Sequence, residues 1–474
     1  MRKLFVLCLL ICSSILHAQD SKKPVVDLVF KFLQELGNPA SGVAYQMLDS
    51  SFQQKVSQQR LGQLGMLVLD GFGVVKALNI DSVANDGMHF FTATYLEGTA
   101  GVQIKMTSEQ KISYFTLVDI PSNSATDKFK EYQNPLANAR DSFVHKVAMQ
   151  FMNIANTRSA IIGVVQGTGM QIYGYGETTK GSKRIPKPND LYEIGSITKT
   201  FTSTLLALEV IKGKMKLNDP VNKYLSKQTP TLQLHDTLMR LVHLSNHSSG
   251  FGLIPKDLFK DASVADPYAK YTSEKMLRYL LDTPKITFTP GTKFSNSNYA
   301  VGLLGEIMAL QNNTTYEGLL EKQIWNPLGM NDTRITLNEE QKSRFVPGYT
   351  LDGVESAHWN FTGMAASGGI RSTMADMVTY ARAMMWEAPK DLSKAFELMR
   401  KETLFDASSG TRVALGWLII PKERTIYAID GGTGGFSSLM VFEPNTKTAV
   451  IVLTNVNIHQ VFGMDILDWL LKNQ

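Results

Sequence analysis

A serine and a lysine three residues apart are the first pair in this 474-residue chain whose types could do chemistry together. Ser196 and Lys199 lie in the stretch YEIGSITKTFT, and the apolar residues that follow at steps of three and four predict a helix with one buried face. Positions i and i+3 of a helix are neighbours on one side. A serine hydroxyl attacks well once a nearby base removes its proton, and a desolvated neutral lysine can be that base. The spacing therefore permits a Ser-Lys dyad.

The same spacing occurs a second time, so it is not specific by itself. Ser108 and Lys111 also stand three apart, in a segment that reads as a turn into a strand. A solvated serine and lysine on an ordinary helix is thus the competing interpretation at Ser196. The surrounding elements have to distinguish the two.

The first 18 residues have the organisation of a secretory signal peptide, with a basic start, an apolar run from Leu4 to Leu16 and a small residue, Ala18, at the predicted cleavage site. The run is too short to cross a membrane stably, and the alternative is a buried N-terminal helix or strand. Both cysteines, Cys8 and Cys12, lie in this segment, and neither has the sequence context of a lipid-attachment site. We expect a secreted or periplasmic protein without cysteine chemistry after cleavage.

Composition narrows the class of protein further. The chain has 48 Lys and Arg against 43 Asp and Glu, and 43% of its residues are hydrophobic. This length suits two or three globular domains. No concentrated basic run indicates nucleic-acid binding, and no second long apolar stretch indicates a stable membrane span.

Residues 19–121 form a first predicted domain. Helical patterns at 25–36, 44–48 and 56–69 precede strand patterns at 88–96, 101–106 and 111–119. Helices followed by an antiparallel meander resemble the small α+β cone domains related to nuclear transport factor. Such domains hold a small ligand or dimerise; because no polar cluster converges here, we expect a structural role, which includes dimerisation. The polar segment 122–138 is predicted to be a linker.

Residues 139–474 form the second predicted domain, which begins with a helix at 139–156 and strands at 160–166 and 170–176. Further motifs follow in order: GYG at 174–176, the Ser-x-x-Lys helix, HLSNHSSG at 243–250, PGTKFSNSN at 290–298, GIRST at 369–373 and DGGTGGFSS at 430–438 before two apolar strands. Together they resemble the serine β-lactamase and penicillin-binding-protein superfamily, on the side of the class C enzymes and their esterase and D-aminopeptidase relatives.

The resemblance implies an α+β fold: an antiparallel sheet flanked by helices, with a helical lobe beside it. It implies an acyl-enzyme mechanism in which Ser196 is the nucleophile and Lys199 its base. The N–H groups of Ser196 and Gly432, with Gly431 beside them, would hold the oxyanion, and Asn298 takes the place of a substrate-binding asparagine. A small-molecule or peptide-like acyl substrate is implied, without a cofactor or a metal.

Two motif positions depart from the family pattern. The family's tyrosine stands six residues after Pro290 and nine before Gly305, and both counts give Asn296. A shifted loop could instead bring Tyr299 to that place. An amide cannot usefully accept a proton, so a general-base contribution is expected to be missing.

The family's Lys or His on the strand flanking the site reads Ile429, and the neutral polar residue after it reads Asp430. If the strand keeps its register, Asp430 faces the region where β-lactams place their carboxylate, and like charges disfavour binding. We therefore expect a neutral or cationic acyl substrate. The predicted function is an exported serine hydrolase that cleaves an ester or an amide; the alternative is a degenerate module that binds a cell-envelope ligand.

Other candidate sites are weaker. His243 and His247 have a metal-ligand spacing, but no third ligand accompanies them and both match scaffold positions of the family. The glycines of 431–435 precede a strand, whereas a phosphate-binding loop opens a helix. Trp359 and Trp417 are residues of a kind found more often in cores than in pocket walls, and the sequence assigns neither of them a role.

Overall fold

A computed structural model of the chain describes residues 23–36, 42–53, 73–84, 87–95, 98–118 and 131–473, with isolated positions between 56 and 68 and short gaps at 154–155, 261, 264, 283–285, 351–352 and 459–461. The chain forms two compact units, Met1–Ala125 and Thr126–Gln474. The predicted signal peptide, with both cysteines, and most of the predicted linker lie outside the described residues.

The first unit combines short helices with one antiparallel meander in the order β1-β2-β3-β4. Its described elements are α1 (Lys23–Leu36), α2 (Val43–Gln46), α3 (Ser50–Gln53), β1 (Val75–Val83), β2 (Met88–Tyr95), β3 (Gly98–Met106) and β4 (Ile112–Val118). Helix α1 buries Val29, Phe32 and Leu33 in the same core as Phe91 and Val102 of the sheet. The likeness to cone domains stays a prediction.

Strand β1 was not predicted from the sequence. It carries the exposed polar residues Lys76, Asn79, Asp81 and Ser82, and its pairing with β2 shifts register twice, so no regular apolar alternation indicates it. The predicted helix at 56–69 falls largely outside the described residues.

The second unit contains a nine-stranded antiparallel sheet in the order β14-β15-β16-β17-β18-β19-β6-β7-β5. Its strands are β5 (Tyr132–Gln133), β6 (Ser159–Gln166), β7 (Gly169–Gly176), β14 (Leu404–Asp406), β15 (Thr411–Val413), β16 (Leu418–Pro421), β17 (Thr425–Gly432), β18 (Ser437–Glu443) and β19 (Thr448–Thr454). The segment 122–138 is therefore not a linker throughout, because β5 pairs with β7. A two-residue strand has no periodicity to reveal it.

Three strand pairs lie outside this sheet: β8 (Leu191–Glu193) with β13 (Arg371–Thr373), β9 (Gln233–Leu234) with β10 (Thr237–Leu238), and β11 (Gly348–Tyr349) with β12 (Glu355–Ser356). The α-helices of the unit are α4 (Ala139–Met152), α5 (Thr198–Ile211), α6 (Leu241–Ser245), α7 (Ser273–Leu281), α8 (Asn298–Gln311), α9 (Tyr316–Leu320), α10 (Asn326–Leu328), α11 (Glu339–Ser343), α12 (Ala365–Gly368), α13 (Met374–Met385), α14 (Lys390–Met399) and α15 (Phe462–Lys472).

Helices cover both faces of the nine-stranded sheet, which confirms the predicted fold class. Helices α4 and α15 share one apolar core with one face of the sheet. Helix α5 and the helical lobe share a larger core with the other face. Helix α5 is buried from Thr198 to Glu209, on every side, so packing fixes the position of its N-terminal end. No helix within the described residues is both long and apolar enough to cross a membrane.

Candidate active site

Ser196 lies in a tight turn that leads into α5. The turn is a 3₁₀ helix over Gly195–Ile197, and α5 continues from Thr198. Gly195 has a φ of 48°, and a Cβ there would lie 2.7 Å from the backbone nitrogen of Gly432. Glycine is needed both for this left-handed conformation and for the close approach of strand β17. The glycine at position 195 thus allows the serine turn to pack closely against the glycine-rich end of β17.

The predicted dyad is in hydrogen-bonding contact. The Nζ of Lys199 donates to the Oγ of Ser196 over 2.5 Å, and Lys199 is 2% exposed, whereas Ser196 is half-buried. At the second Ser-x-x-Lys sequence, Lys111 donates instead to the carbonyl oxygen of Gln46, and Ser108 is exposed. Only the first pair combines contact with burial.

The glycines of β17 lie against the serine turn. A Cβ on Gly431 would lie 2.3 Å from the carbonyl oxygen of Ile194 and 2.7 Å from the backbone nitrogen of Ser196. The Oγ of Ser438, which is opposite Gly431 in β18, donates to the same Ile194 carbonyl at 2.9 Å. The backbones of Gly431 and Gly432 therefore adjoin the backbone of Ser196.

Ile429 and Asp430 point to opposite faces of β17, as successive residues of a strand do. Ile429 is opposite Met440 and packs against the core that contains α5. Asp430 is exposed and lies on the same face as Gly432, two residues on. The Oδ1 of Asn457 lies 3.6 Å from where a Cβ of Gly432 would be. An exposed carboxylate and an amide thus share this side of the strand end.

Asn298 is the first residue of α8, next to the cap residue Ser297, whose side chain accepts from the backbone N–H of Ala300. The Nδ2 of Asn298 donates to the hydroxyl of Tyr268 at 3.4 Å. Its Oδ1 is buried and makes no hydrogen bond. Asn296 is half-buried in the preceding loop.

Tyr299 does not take the place of the missing tyrosine. It is 1% exposed and packs edge-on against Phe251 and Tyr279. Its hydroxyl donates to the carbonyl oxygen of Met276 at 3.0 Å, and burial raises its pKa far above the ordinary value. A phenol so engaged in the core is not available to the serine.

His247 holds the loop that carries Asn296 and Asn298. Its Nδ1 accepts from the backbone N–H of Ser297, and its carbonyl oxygen accepts from the N–H of Ser295. Burial, and second the positive charge of Lys199, lower the pKa of His247 to about 3. A neutral imidazole therefore serves as scaffold. No group of three metal-ligating side chains occurs in the described part of the chain.

Asp406 supports the same loop from β14, and the sequence did not indicate it. Its Oδ2 accepts from the backbone N–H of Phe294 at 3.0 Å. Burial acts to raise the pKa of this carboxyl, but hydrogen bonds from Ser408 and Phe294 outweigh burial and hold it below the ordinary value. The carboxylate is therefore the stable form in this position.

The two tryptophans differ in their environment. Trp417 is buried in the core, as expected. Trp359 is only half-buried, and a Cβ on Gly434 would lie 2.7 Å from its Nε1. Trp359 therefore packs against the core that contains α5 and also borders the glycine-rich strand end.

Several known proteins are similar to part of this chain in sequence and in fold. A β-lactamase from Pseudomonas fluorescens is 26% identical over 328 residues, 62% of this chain and 88% of that protein. The D-alanyl-D-alanine-carboxypeptidase/endopeptidase AmpH of Escherichia coli K12 is 29% identical over 304 residues, 61% and 77% of the two chains. The structure of a β-lactamase/D-alanine carboxypeptidase from Yersinia pestis, complexed with citrate, aligns with a TM-score of 0.61 at 26% identity, over 70% of this chain and 98% of that one.

The protein-family model with the description Beta-lactamase matches residues 144–470. This range is more than half of the chain and includes every site residue named above. With the Ser-Lys contact, the sheet and the flanking helices in the positions that the resemblance implied, this chain belongs to the β-lactamase family.

Proposed function

We propose that the protein is an exported serine hydrolase that cleaves an ester or an amide through an acyl group on Ser196. The observation that carries the proposal is the hydrogen bond from the buried Nζ of Lys199 to the Oγ of Ser196. Lys199 lies in the buried first turn of α5 and Ser196 in the 3₁₀ turn that leads into it, where the positive end of the helix dipole favours negative charge.

In the proposed reaction, Lys199 first loses its proton to solvent, and its neutral amine then takes the proton of Ser196 as the Oγ attacks the acyl carbonyl carbon. The carbonyl oxygen becomes an oxyanion between the N–H groups of Ser196 and Gly432, and each such donor is worth about 2.7–4 kcal/mol in comparable enzymes. The tetrahedral species collapses and expels an alcohol or amine, which takes the proton from Lys199. Water then hydrolyses the acyl-serine ester with the same proton transfers and releases the acid.

The departures from the family pattern lower the expected rate of acyl transfer and restrict the substrates that can bind. With Asn296 and Ile429 in place of proton-transferring groups, a contribution of about 10²–10⁴-fold is expected to be absent. The exposed Asp430 and the apolar Ile429 disfavour a substrate carboxylate at this end of the site. We therefore infer a neutral or cationic acyl compound. The carboxypeptidase relatives support an amide as the bond that is cleaved, whereas the free carboxylate of a carboxypeptidase substrate is the group that Asp430 disfavours.

The second candidate function is a non-catalytic module that binds a cell-envelope ligand. Asn296 and Ile429 favour it, because an enzyme that has lost its proton-transferring partners can retain the pocket. The contact between Lys199 and Ser196 favours the hydrolase, since binding alone does not require a buried lysine against the serine.

Labelling with a fluorophosphonate probe tests the hydrolase. We expect the probe on Ser196, located by mass spectrometry, and no labelling of Ser196→Ala. Ser108→Ala is the matched control, since it removes the serine of the other Ser-x-x-Lys sequence. Absence of labelling from the folded wild-type protein would favour the binding module, and rapid hydrolysis of a chromogenic cephalosporin would contradict the proposed substrate class.

A further inference from the structure

Three aromatic side chains from two distant segments lie together beside the proposed active site. Tyr268 and Phe361 are stacked, with ring centroids 4.4 Å apart and an interplanar angle of 17°. Trp359 lies 5.4 Å from Tyr268 and 6.4 Å from Phe361, measured between centroids. We call Tyr268, Trp359 and Phe361 the aromatic wall. Trp359 and Phe361 are half-buried and form the part of the wall that solvent can reach, whereas Tyr268 is buried.

Close approaches place the aromatic wall next to the serine turn. The ring of Phe361 lies 3.3 Å from where a Cβ of Gly368 would be, and that point is 3.9 Å from the carbonyl carbon of Gly195, the atom bonded to the nitrogen of Ser196. Trp359 reaches the glycine-rich strand end at Gly434. At its other end, the wall meets Asn298, which donates to the hydroxyl of Tyr268.

Hydrogen bonds join the two segments of the wall. The carboxylate of Asp266 accepts from the backbone N–H of Asn360 at 2.9 Å and from its side-chain Nδ2 at 2.7 Å. The hydroxyl of Thr362 donates to the carbonyl oxygen of Ala269 at 3.1 Å. These contacts hold Tyr268 against Phe361, so a ligand would meet a preorganised surface and lose less entropy on binding.

Contacts to the strand pair β8 and β13 fix Trp359 in the same way. Its backbone N–H donates to the buried Oε1 of Glu193 at 2.9 Å. Its carbonyl oxygen accepts from the guanidinium of Arg371 at 2.7 Å. Because Glu193 and Arg371 are paired in the strands next to Ser196, the wall and the nucleophile share one support.

We propose that the aromatic wall binds the acyl group of the substrate and selects an aromatic acyl group. Planar rings prefer offset or edge-on contact with other rings, and such contacts stabilise beyond the area they bury. The Oδ1 of Asn298, buried without a hydrogen bond, accepts from the amide N–H beside that group. The proposal rests on the proposed function for its catalytic readout but has an independent binding readout.

The catalytic test compares p-nitrophenyl phenylacetate with p-nitrophenyl acetate. We expect the wild-type kcat/KM to favour the phenylacetyl ester by about tenfold or more, the factor that roughly 1.4 kcal/mol provides. The preference should fall towards one in Phe361→Ala and Trp359→Leu, because the rate with the phenylacetyl ester falls by a larger factor than the rate with the acetate. Phe405→Ala is the control, because Phe405 is an exposed aromatic residue on β14. Equal wild-type rates for the two esters would overturn the proposal.

The binding test uses the full chain with Ser196→Ala, which cannot be acylated. Calorimetry should show tighter binding of phenylacetylglycine amide than of acetylglycine amide, and Phe361→Leu should retain more of the difference than Phe361→Ala. If the phenylacetyl amide binds more tightly but the wild type is not labelled by the fluorophosphonate, the proposed role of the aromatic wall is supported and the proposed hydrolase activity is contradicted. If Ser196 is labelled but the two amides bind equally, the proposed role of the aromatic wall is contradicted and the proposed hydrolase activity is supported.

Discussion

The hydroxyl of Ser438 donates a hydrogen bond of 2.9 Å to the carbonyl oxygen of Ile194 and so joins β18 to the turn that carries Ser196. We predict that Ser438→Ala lowers the free energy of unfolding by about 0.5–1.5 kcal/mol, the usual net value of one hydrogen bond. Because the serine turn loses a fixed contact, labelling by the fluorophosphonate should also slow. Urea denaturation and the labelling rate measure the two effects.

Ser437→Ala is the matched control for this prediction. Ser437 is the preceding residue of β18, and its hydroxyl shares a hydrogen bond of 2.6 Å with Thr454 rather than with the serine turn. We expect a similar loss of stability without slower labelling. Equal slowing in both variants would mean that the Ser438 contact has no special part in placing Ser196.

Two adjacent glycines should respond differently to alanine. In Gly431→Ala, the new Cβ would meet the carbonyl oxygen of Ile194 at 2.3 Å and the nitrogen of Ser196 at 2.7 Å, so backbone has to move. We expect labelling to fall by about 10²-fold or more, as when an oxyanion donor is displaced. In Gly432→Ala, the nearest atom is 3.6 Å away and the N–H remains.

Gly432→Ala should therefore be labelled at close to the wild-type rate. The melting temperature of each variant is also measured, so that slower labelling can be distinguished from loss of the fold. A comparable loss in the two variants would contradict the placement of β17 against the serine turn.

Local patterns predicted the dyad and most of the central strands. The contact between Ser196 and Lys199 follows from a spacing of three, and continuous apolar runs indicated β6, β18 and β19. Strand β5 has two residues and carries no such pattern. It forms because β7 offers an open edge for pairing, which is a property of the folded sheet.

The parts of the site that were not predicted depend on contacts across long stretches of chain. Asp406 supports Phe294 across 112 positions, and Tyr268 reaches Asn298 across 30. No local period connects such residues. The size of Trp359 does not distinguish a core residue from a pocket wall, and only its approach to Gly434 in the folded chain shows that it borders the site.

Asp430 should disfavour anionic substrates through its charge. We predict that Asp430→Asn speeds acylation by a fluorescent penicillin about two- to tenfold at low salt, and less at high salt, because an exposed charge acts through screened solvent. Glu423→Gln is the control, since Glu423 is an exposed acid near the other end of β17. An equal effect of both substitutions would show that net charge, not the position of Asp430, governs the rate.

The buried His247 should make the protein less stable in mild acid. Its pKa is about 3 in the folded state, against about 6.5 in an unfolded chain, so the unfolded state binds more protons between these values. The stabilisation is complete above about pH 6.5 and is lost as the pH falls towards 3, by up to about 1.4 kcal/mol per pH unit. His243, whose pKa burial lowers to about 4, adds to this slope.

His247→Asn should flatten that dependence, because asparagine has no proton to gain, tolerates the φ of 60° and can still accept from the N–H of Ser297. Urea denaturation from pH 7.5 to pH 4 measures the slope. His235→Asn, which removes an exposed imidazole from a backbone with a φ of 48°, is the matched control. If His247→Asn left the slope unchanged, the loss of stability in acid would arise at other groups and not at the buried, neutral imidazole of His247.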